Sequence, residues 1–165
     1  MNTASTTKLD AVPQELRDLK QWVVWKMPKK EPRHARDPTR LAKSNSPATW
    51  STFDQAVAAV EEGRADGVGF VFAVGGPYIG IDLDDCLDPD TGELHPVAAK
   101  IVTRFATYTE VSPSGAGLHL ILRGKMPPGA GSVKHLHGQK VEIYPDGRYF
   151  TMTGRVLGDV AEVRG

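Results

Sequence analysis

Glycine and proline divide this chain into short segments, and this punctuation restricts what it can fold into. The 165 residues include 17 glycines and 12 prolines. The apolar runs between them are β-prone and too short for long helices. The runs predicted as strands are 22–25, 67–74, 78–84, 108–112, 118–124, 140–144 and 148–154. The turn sequences GGP and PDG, at 75–77 and 145–147, predict hairpins between neighbouring strands.

Three other segments have helical patterns. Pro13 is placed to begin a short helix. A second helix is expected between a cap at Ser51 or Thr52 and Gly63, and its inward face is predicted to carry Phe53, Ala56, Val57 and Val60. A third helix, over 95–108, is predicted to bury Val97, Ile101, Val102 and Phe105. Because the strands come in adjacent pairs without crossovers, the order predicts an α+β fold with an antiparallel or mixed sheet.

Composition narrows the class of protein. Hydrophobic residues make up 40 % and charged residues 24 % of the chain, which is typical of a globular protein. The formal net charge is zero, so a nucleic-acid partner would need a local basic patch. Cys86 is the only cysteine, which excludes an internal disulfide or a multi-cysteine zinc site. No apolar stretch approaches the about 18 residues of a membrane span.

A dense group of carboxylates follows the strand predicted at 78–84. Its members are Asp82, Asp84, Asp85, Asp88, Asp90 and Glu93. A calcium loop fits poorly, because Cys86 and Leu87 stand where such a loop needs an Asp or Asn and then a glycine. An acidic turn explains the later members, since DPDTGE is turn chemistry. A divalent-metal site is the third interpretation.

Alternation along this strand favours the metal site for the first two aspartates. Asp82 and Asp84 share one face of the strand and lie about 7 Å apart along it, whereas the opposite face is apolar. Two like charges at that distance favour a cation between them. A pair of carboxylates together with substrate phosphates is how Mg²⁺ or Mn²⁺ is usually held. Glu142, on the polar face of a later strand, is the candidate third carboxylate.

A small-residue loop supplies a candidate phosphate-binding element. Ser112, Ser114, Gly115 and Gly117 lie in the sequence SPSGAG, and the backbone N–H groups of such a turn can form an anion nest. His119 follows on the next strand, where alternation places it away from the apolar side. Arg148 could contact a phosphate with both guanidinium nitrogens.

A basic stretch lies between residues 26 and 43. Its positive residues are Lys26, Lys29, Lys30, Arg33, Arg36, Arg40 and Lys43, against only Glu31 and Asp37. The prolines within it exclude a long helix. Two interpretations stay open, a contact surface for nucleic-acid phosphates and a solvated loop.

Three of these motifs, in this order, resemble the primase-polymerase domains of phages and mobile elements, within the archaeo-eukaryotic primase superfamily. They are GIDLDD, SPSGAGLH and VEIYPDGRYFTMTG. The resemblance implies an RRM-like catalytic core in which Asp82, Asp84 and Glu142 hold two divalent metals. It also implies that Ser114 and His119 bind the triphosphate. Gly115, Gly117 and Arg148 join them as predicted nucleotide-binding residues.

The activity implied is nucleotidyl transfer, as a DNA primase or polymerase that uses Mg²⁺ or Mn²⁺. The implied partners are nucleoside triphosphates, a DNA template or primer, and a helicase or helix-bundle domain outside this chain. Residues 1–10 are predicted to be a disordered lead, and 11–160 the catalytic domain of a longer protein. The expected location is the cytoplasm of a bacterium or a phage-infected cell.

Two rival functions remain open at this stage. His135 and His137 form a His-apolar-His pair like that of metal-dependent DNA nickases, with Tyr144 and Tyr149 as candidate nucleophiles, although KHLHGQ is predicted as a loop. Alternatively, an RRM-like domain can bind nucleic acid without catalysis by stacking bases on strand aromatics. Phe70 and Phe72 are the candidates for that role.

Overall fold

The computed structural model describes residues 8–165 as two antiparallel sheets with three α-helices. The strands are β1 Trp22–Trp25, β2 Pro32–Arg33, β3 Gly67–Val71, β4 Tyr78–Leu83, β5 Thr109–Val111, β6 Leu118–Arg123, β7 Ser132–Leu136, β8 Gln139–Tyr144 and β9 Tyr149–Met152. The helices are α1 Gln14–Arg17, α2 Phe53–Glu61 and α3 Pro96–Phe105. The first sheet has the order β2-β1-β3-β9, and the second has β5-β6-β4-β8-β7. The predicted α+β class with antiparallel pairing is therefore confirmed, although in two sheets.

The second sheet has an apolar face and a mixed face. Ile79, Ile81 and Leu83 of β4 lie on the apolar face, where they pack with Ala98 of α3. On the mixed face, Tyr78 and Ile121 join the core that the first sheet shares with α2. The period of two along each strand thus assigns one face to α3 and the other to the junction between the sheets.

Gly80 lets the two sheets approach each other closely. A Cβ at this position would lie 2.6 Å from Phe150 and 2.7 Å from Phe72, both in or beside the first sheet. Contacts that short do not occur without a shift of the aromatic rings. Because Gly80 has no side chain, β4 can pack directly against β9 of the first sheet. Asp82, two residues later on β4, is thereby held close to β9.

Both predicted hairpins are wrong. β3 and β4, which flank GGP, belong to different sheets, and so do β8 and β9, which flank PDG. β3 instead pairs with β1 and β9, and β4 pairs with β6 and β8. Each turn carries the chain from one sheet to the other, because turn chemistry bends the backbone but does not choose the strand's partner.

The helices follow the sequence pattern closely. Thr52 caps α2 through a capping box with Gln55, and Gly63 follows the helix with a positive φ of 75°. In α3, Val97, Ile101 and Val102 pack on the apolar face of the second sheet as expected, whereas Phe105 is 37 % exposed. The inward prediction for Phe105 is therefore wrong, since it occupies the last turn, beyond the sheet contact.

The described residues begin with a short 3₁₀ turn. Lys8–Ala11 form this turn, in which Leu9 is buried, and residues 1–7 of the predicted lead lie outside the described residues. β7 was not predicted at all. No helix within residues 8–165 is both long and apolar enough to cross a bilayer.

Candidate active site

One row of residues crosses the mixed face of the second sheet. Asp82 on β4 pairs directly with His119 on β6 and with Glu142 on β8, and His119 in turn pairs with Glu110 on β5. Residues paired in this way lie on the same face of a sheet with neighbouring side chains. The strand order therefore brings together residues that lie as many as 60 positions apart, 82 to 142.

Asp84 completes a group of three carboxylates at the end of β4. Ligand oxygens of Asp82, Asp84 and Glu142 all lie within 4.8 Å of one another. Glu142 is the least exposed side chain, at 12 %, and Asp84 the most, at 50 %. Mg²⁺ and Mn²⁺ prefer hard oxygen ligands, and here three carboxylates converge while Asp84 remains half exposed, so this donor set fits a divalent ion. The structure brings together all three predicted metal ligands.

Two neighbours of Glu142 on β8 were not among the residues predicted for the metal site. Lys140 Nζ lies 3.0 Å from Glu142 Oε1 and 3.7 Å from Asp84 Oδ2. Tyr144 donates its hydroxyl hydrogen to Glu142 Oε2. Both residues are two positions from Glu142, so alternation along KVEIY places them on the same face, and this signal was available in the sequence.

The charges of this group change the pKa values of its members. Burial and the nearby charge of Asp82 raise the pKa of Asp84, and Lys140 opposes that rise. The hydrogen bond and charge of Glu142 raise the pKa of Lys140, which stays an ammonium group. Burial, together with the hydrogen bond to Glu142, raises the pKa of Tyr144 to about 12. The group therefore attracts positive charge, and Tyr144 remains a hydrogen-bond donor.

His119 is held between the sheets. Its ring stacks on Phe150 at 4.3 Å between centroids, and Nδ1 lies 3.1 Å from the carbonyl oxygen of Thr151. A carbonyl only accepts, so Nδ1 carries a hydrogen in this contact. Nε2 lies 3.4 Å from Asp82 Oδ1. The sequence placed His119 on the polar face, and the structure adds that this face is largely covered, since the His119 side chain is 11 % exposed.

The SPSGAG loop is a tight turn between β5 and β6. The N–H groups of Ala116 and Gly117 already bond the hydroxyls of Ser114 and Ser112, and the N–H of Gly115 bonds the carbonyl of Ser112. The open anion nest expected from the sequence is therefore not formed, because the loop satisfies these donors itself. Gly117 is buried, and a Cβ there would lie 3.0 Å from the carbonyl of Leu83. Nucleotide contact by Ser114, Gly115 and Gly117 stays a prediction.

Two arginines lie at the margins of this region. The guanidinium of Arg148 lies 4.5 Å from the centroid of the Tyr144 ring, so Arg148 is linked through Tyr144 to Glu142. Arg155, which sequence reasoning did not select, places Nη2 3.7 Å from the point that a Cβ on Gly115 would occupy. The SPSGAG loop thus has a positive charge beside it.

The basic stretch packs against the first sheet. Ala42 and Trp50 pack there on Val23 and Val71. Arg33 is half-buried and donates to the carbonyl of Pro38, so it has a structural contact. Lys30 is half-buried, and the exposed cations are Lys26, Lys29, Arg36, Arg40 and Lys43.

Two contacts join the basic stretch and Ser44, the residue after it, to residues 147–149 at the end of the β8–β9 turn. Tyr149 donates its hydroxyl hydrogen to the carbonyl of Lys30, and Ser44 donates to the carbonyl of Gly147. Burial lowers the pKa of His34, and the nearby positive charges of Arg40 and Arg36 lower it further. A positive surface therefore borders the turn that carries Arg148.

Neither rival function gains a site in this geometry. Among the described residues, the carboxylate triad is the one group of three or more potential metal ligands, and it includes neither His135 nor His137. His135 lies on β7, an edge strand, and not in a loop as predicted, while His137 lies in the following turn at a φ of 49°; both are exposed. Phe70 and Phe72 are 0 % and 1 % exposed, so neither ring is available to stack on a base.

Cys86, three residues after the end of β4, provides a chemical probe of the burial beside the carboxylate triad. Its thiol is buried and lies 3.5 Å from the carbonyl oxygen of Leu83, and burial raises its pKa to about 11. At pH 8 only about 0.1 % of such a thiol is thiolate, against roughly a quarter of a free cysteine. We expect iodoacetamide to label the native protein at least a hundred times more slowly than the urea-unfolded protein. Equal labelling rates would contradict this burial.

Comparison with known proteins identifies the kind of domain. No family model matches the chain. An alignment over 143 residues, which covers 83 % of this chain, gives 37 % identity to the DNA primase-polymerase of Nitratiruptor phage NrS-1. The match spans only 19 % of that protein's length. The similarity confirms the resemblance to primase-polymerase domains that the three motifs indicated. The chain carries a domain of the phage primase-polymerase type.

Proposed function

We propose that this domain is a template-directed nucleotidyltransferase, acting as a DNA primase or polymerase. The observation that carries the proposal is the convergence of Asp82, Asp84 and Glu142 within 4.8 Å in a domain of this type. The phage relative is named a DNA primase-polymerase, which supports the same reaction class here. The five-stranded sheet with α3 on its apolar face supports the RRM-like description of the catalytic core, which forms part of the proposal.

In the proposed site, Asp82, Asp84 and Glu142 hold two divalent ions, Mg²⁺ or Mn²⁺. Held by these carboxylates, such ions would supply the charge that lowers the pKa of the attacking hydroxyl and neutralises the triphosphate. The chain's own contribution is positioning, because Asp82 lies on β4, Asp84 directly follows it, and Glu142 lies on β8, the strand paired with β4 within the five-stranded sheet. Tyr144 fixes one oxygen of Glu142, which limits the orientations of that ligand.

The proposed nucleotide contacts lie beside these carboxylates. Ser114 has an exposed side chain and belongs to a loop whose Ala116 carbonyl accepts hydrogen bonds from the N–H groups of Cys86 and Leu87, just beyond Asp84. His119 pairs directly with Asp82, and Arg148 follows β8 on the same side as Tyr144. These positions support the assignment of Ser114, Gly115, Gly117, His119 and Arg148 to the nucleotide.

Primer extension tests the proposed reaction. A labelled primer on a single-stranded template is incubated with dNTPs or with NTPs, in Mg²⁺ or Mn²⁺. We expect stepwise products whose sequence follows the template and which disappear in excess EDTA. A covalent tyrosyl-DNA product would instead support the nickase, and metal-independent DNA binding without extension would support a non-catalytic module. Either of these two results would overturn the proposal.

The basic stretch is proposed to contact template or primer phosphates. Lys29→Ala and Arg36→Ala each remove one exposed cation from it. If each cation neutralises one phosphate, the slope of log K against log salt should become shallower by about 0.7 per substitution on single-stranded DNA. Fluorescence anisotropy at several salt concentrations measures this slope. Lys100→Ala is the matched control, because Lys100 lies on α3, which packs on the second sheet, whereas the basic stretch packs on the first. An equal change in the salt slope for Lys100→Ala would refute the assignment.

The proposed setting is a larger replication protein. The phage relative is much longer than this chain, so a helicase or helix-bundle domain joined to this one is consistent with the match. The cytoplasm of a bacterium or a phage-infected cell is the corresponding location.

A further inference from the structure

Lys140 occupies the position in which a cation is expected. Its ammonium lies between Glu142 and Asp84, at 3.0 and 3.7 Å. The other oxygen of Glu142 accepts the Tyr144 hydroxyl, so both oxygens of this carboxylate are engaged. An ordinary surface ion pair contacts one carboxylate, whereas this lysine bridges two of the three proposed metal ligands.

The backbone around Lys140 is fixed by a buried side chain. Gln139, which is 2 % exposed, donates from Nε2 to the carbonyl of Asp84 at 2.8 Å and to the carbonyl of Lys140 at 3.0 Å. A buried amide with both hydrogens engaged locks the start of β8 to the end of β4. The lysine therefore starts from a fixed point beside the carboxylates, and only its flexible stem is free to move.

We propose that Lys140 is a positioning residue that serves as the resident counter-ion of the carboxylate triad and yields its place when metal and nucleotide bind. This inference depends on the proposed function. The three carboxylates carry three negative charges, which Lys140 reduces to two. In this state the triad holds divalent ions weakly. The triphosphate brings further negative charge, so full metal loading depends on the nucleotide.

Metal binding without catalysis tests this role. Mn²⁺ is titrated into wild type, Lys140→Met and Lys140→Arg, and the free ion is followed by its paramagnetic resonance signal. Without nucleotide, we expect Lys140→Met to bind Mn²⁺ about five- to tenfold more tightly, because a competing positive charge is gone. Lys140→Arg keeps the charge and should stay within about twofold of wild type. Lys134→Met, an exposed lysine on β7, is the control and should not change.

A nucleotide arm separates displacement from simple repulsion. With a saturating non-hydrolysable nucleoside triphosphate, the affinities of wild type and Lys140→Met should converge to within about twofold. Equal or weaker Mn²⁺ binding by Lys140→Met without nucleotide would overturn the inference, and so would an advantage that persists unchanged with nucleotide. In both cases wild type still binds Mn²⁺, and the proposed function stands. Absence of Mn²⁺ binding by wild type with nucleotide would overturn both.

Discussion

Glu142→Gln should reduce primer extension by about a thousandfold and leave the fold unchanged. Glutamine keeps the size and one carbonyl oxygen of the side chain, so Tyr144 can still donate to it, but the negative charge is lost. A metal ligand that stabilises transition-state charge contributes several kcal/mol, and about 4 kcal/mol corresponds to a factor of a thousand. Asp82→Asn, on the paired position of β4, should have a loss of similar size.

Single-turnover extension in saturating Mn²⁺ measures this loss, and thermal unfolding checks the fold. Glu93→Gln is the matched control, because Glu93 belongs to the same acidic segment of the sequence as Asp82 but lies exposed in the loop before α3. It should extend primers like wild type. If Glu142→Gln keeps more than about a tenth of wild-type activity, the triad is not the catalytic centre. If Glu93→Gln loses as much extension activity as Glu142→Gln, the activity depends on the total negative charge of the acidic segment and not on the triad.

Alternation along single strands explains how much of this site was predictable. The period of two in YIGIDLD and KVEIY placed Asp82 and Glu142 on polar faces, and the resemblance to primase-polymerases joined them. The direct pairing of the two residues adds a register that neither strand specifies alone. Asp84 followed from the same alternation, although it lies one residue past the end of β4.

Pairing between strands is where sequence reasoning failed. Turn chemistry at GGP and PDG is local, but the choice of partner depends on distant segments, so both hairpins were wrong. β7 was missed because its edge position leaves Val133 and Leu136 exposed, without the burial that produces a clear pattern. The closed SPSGAG loop was also unpredictable, since its N–H groups had equally good partners in a phosphate and in its own serines.

Glu110→Gln should have the opposite consequence to Glu142→Gln, although both glutamates lie in one row on one face. Glu110 is 1 % exposed and accepts hydrogen bonds from the N–H groups of Thr153 and Gly154, at 2.7 and 2.9 Å. It also accepts the hydroxyl hydrogen of Tyr108. These bonds join β5 to the segment after β9, so Glu110 connects the two sheets and holds no cation among the described residues.

A glutamine at 110 has one acceptor oxygen and turns two hydrogens toward groups that are themselves donors. Each buried donor left without an acceptor costs about 1–3 kcal/mol, so we expect unfolding to require about 2–4 kcal/mol less free energy. For a domain of this size, the melting temperature should fall by about 5–15 °C. Urea unfolding measures the change.

At a temperature where the variant is folded, its extension rate should stay within a few-fold of wild type, because Glu110 contacts the β9 segment and not the carboxylate triad. An unchanged urea midpoint would show that these hydrogen bonds do not hold the sheets together.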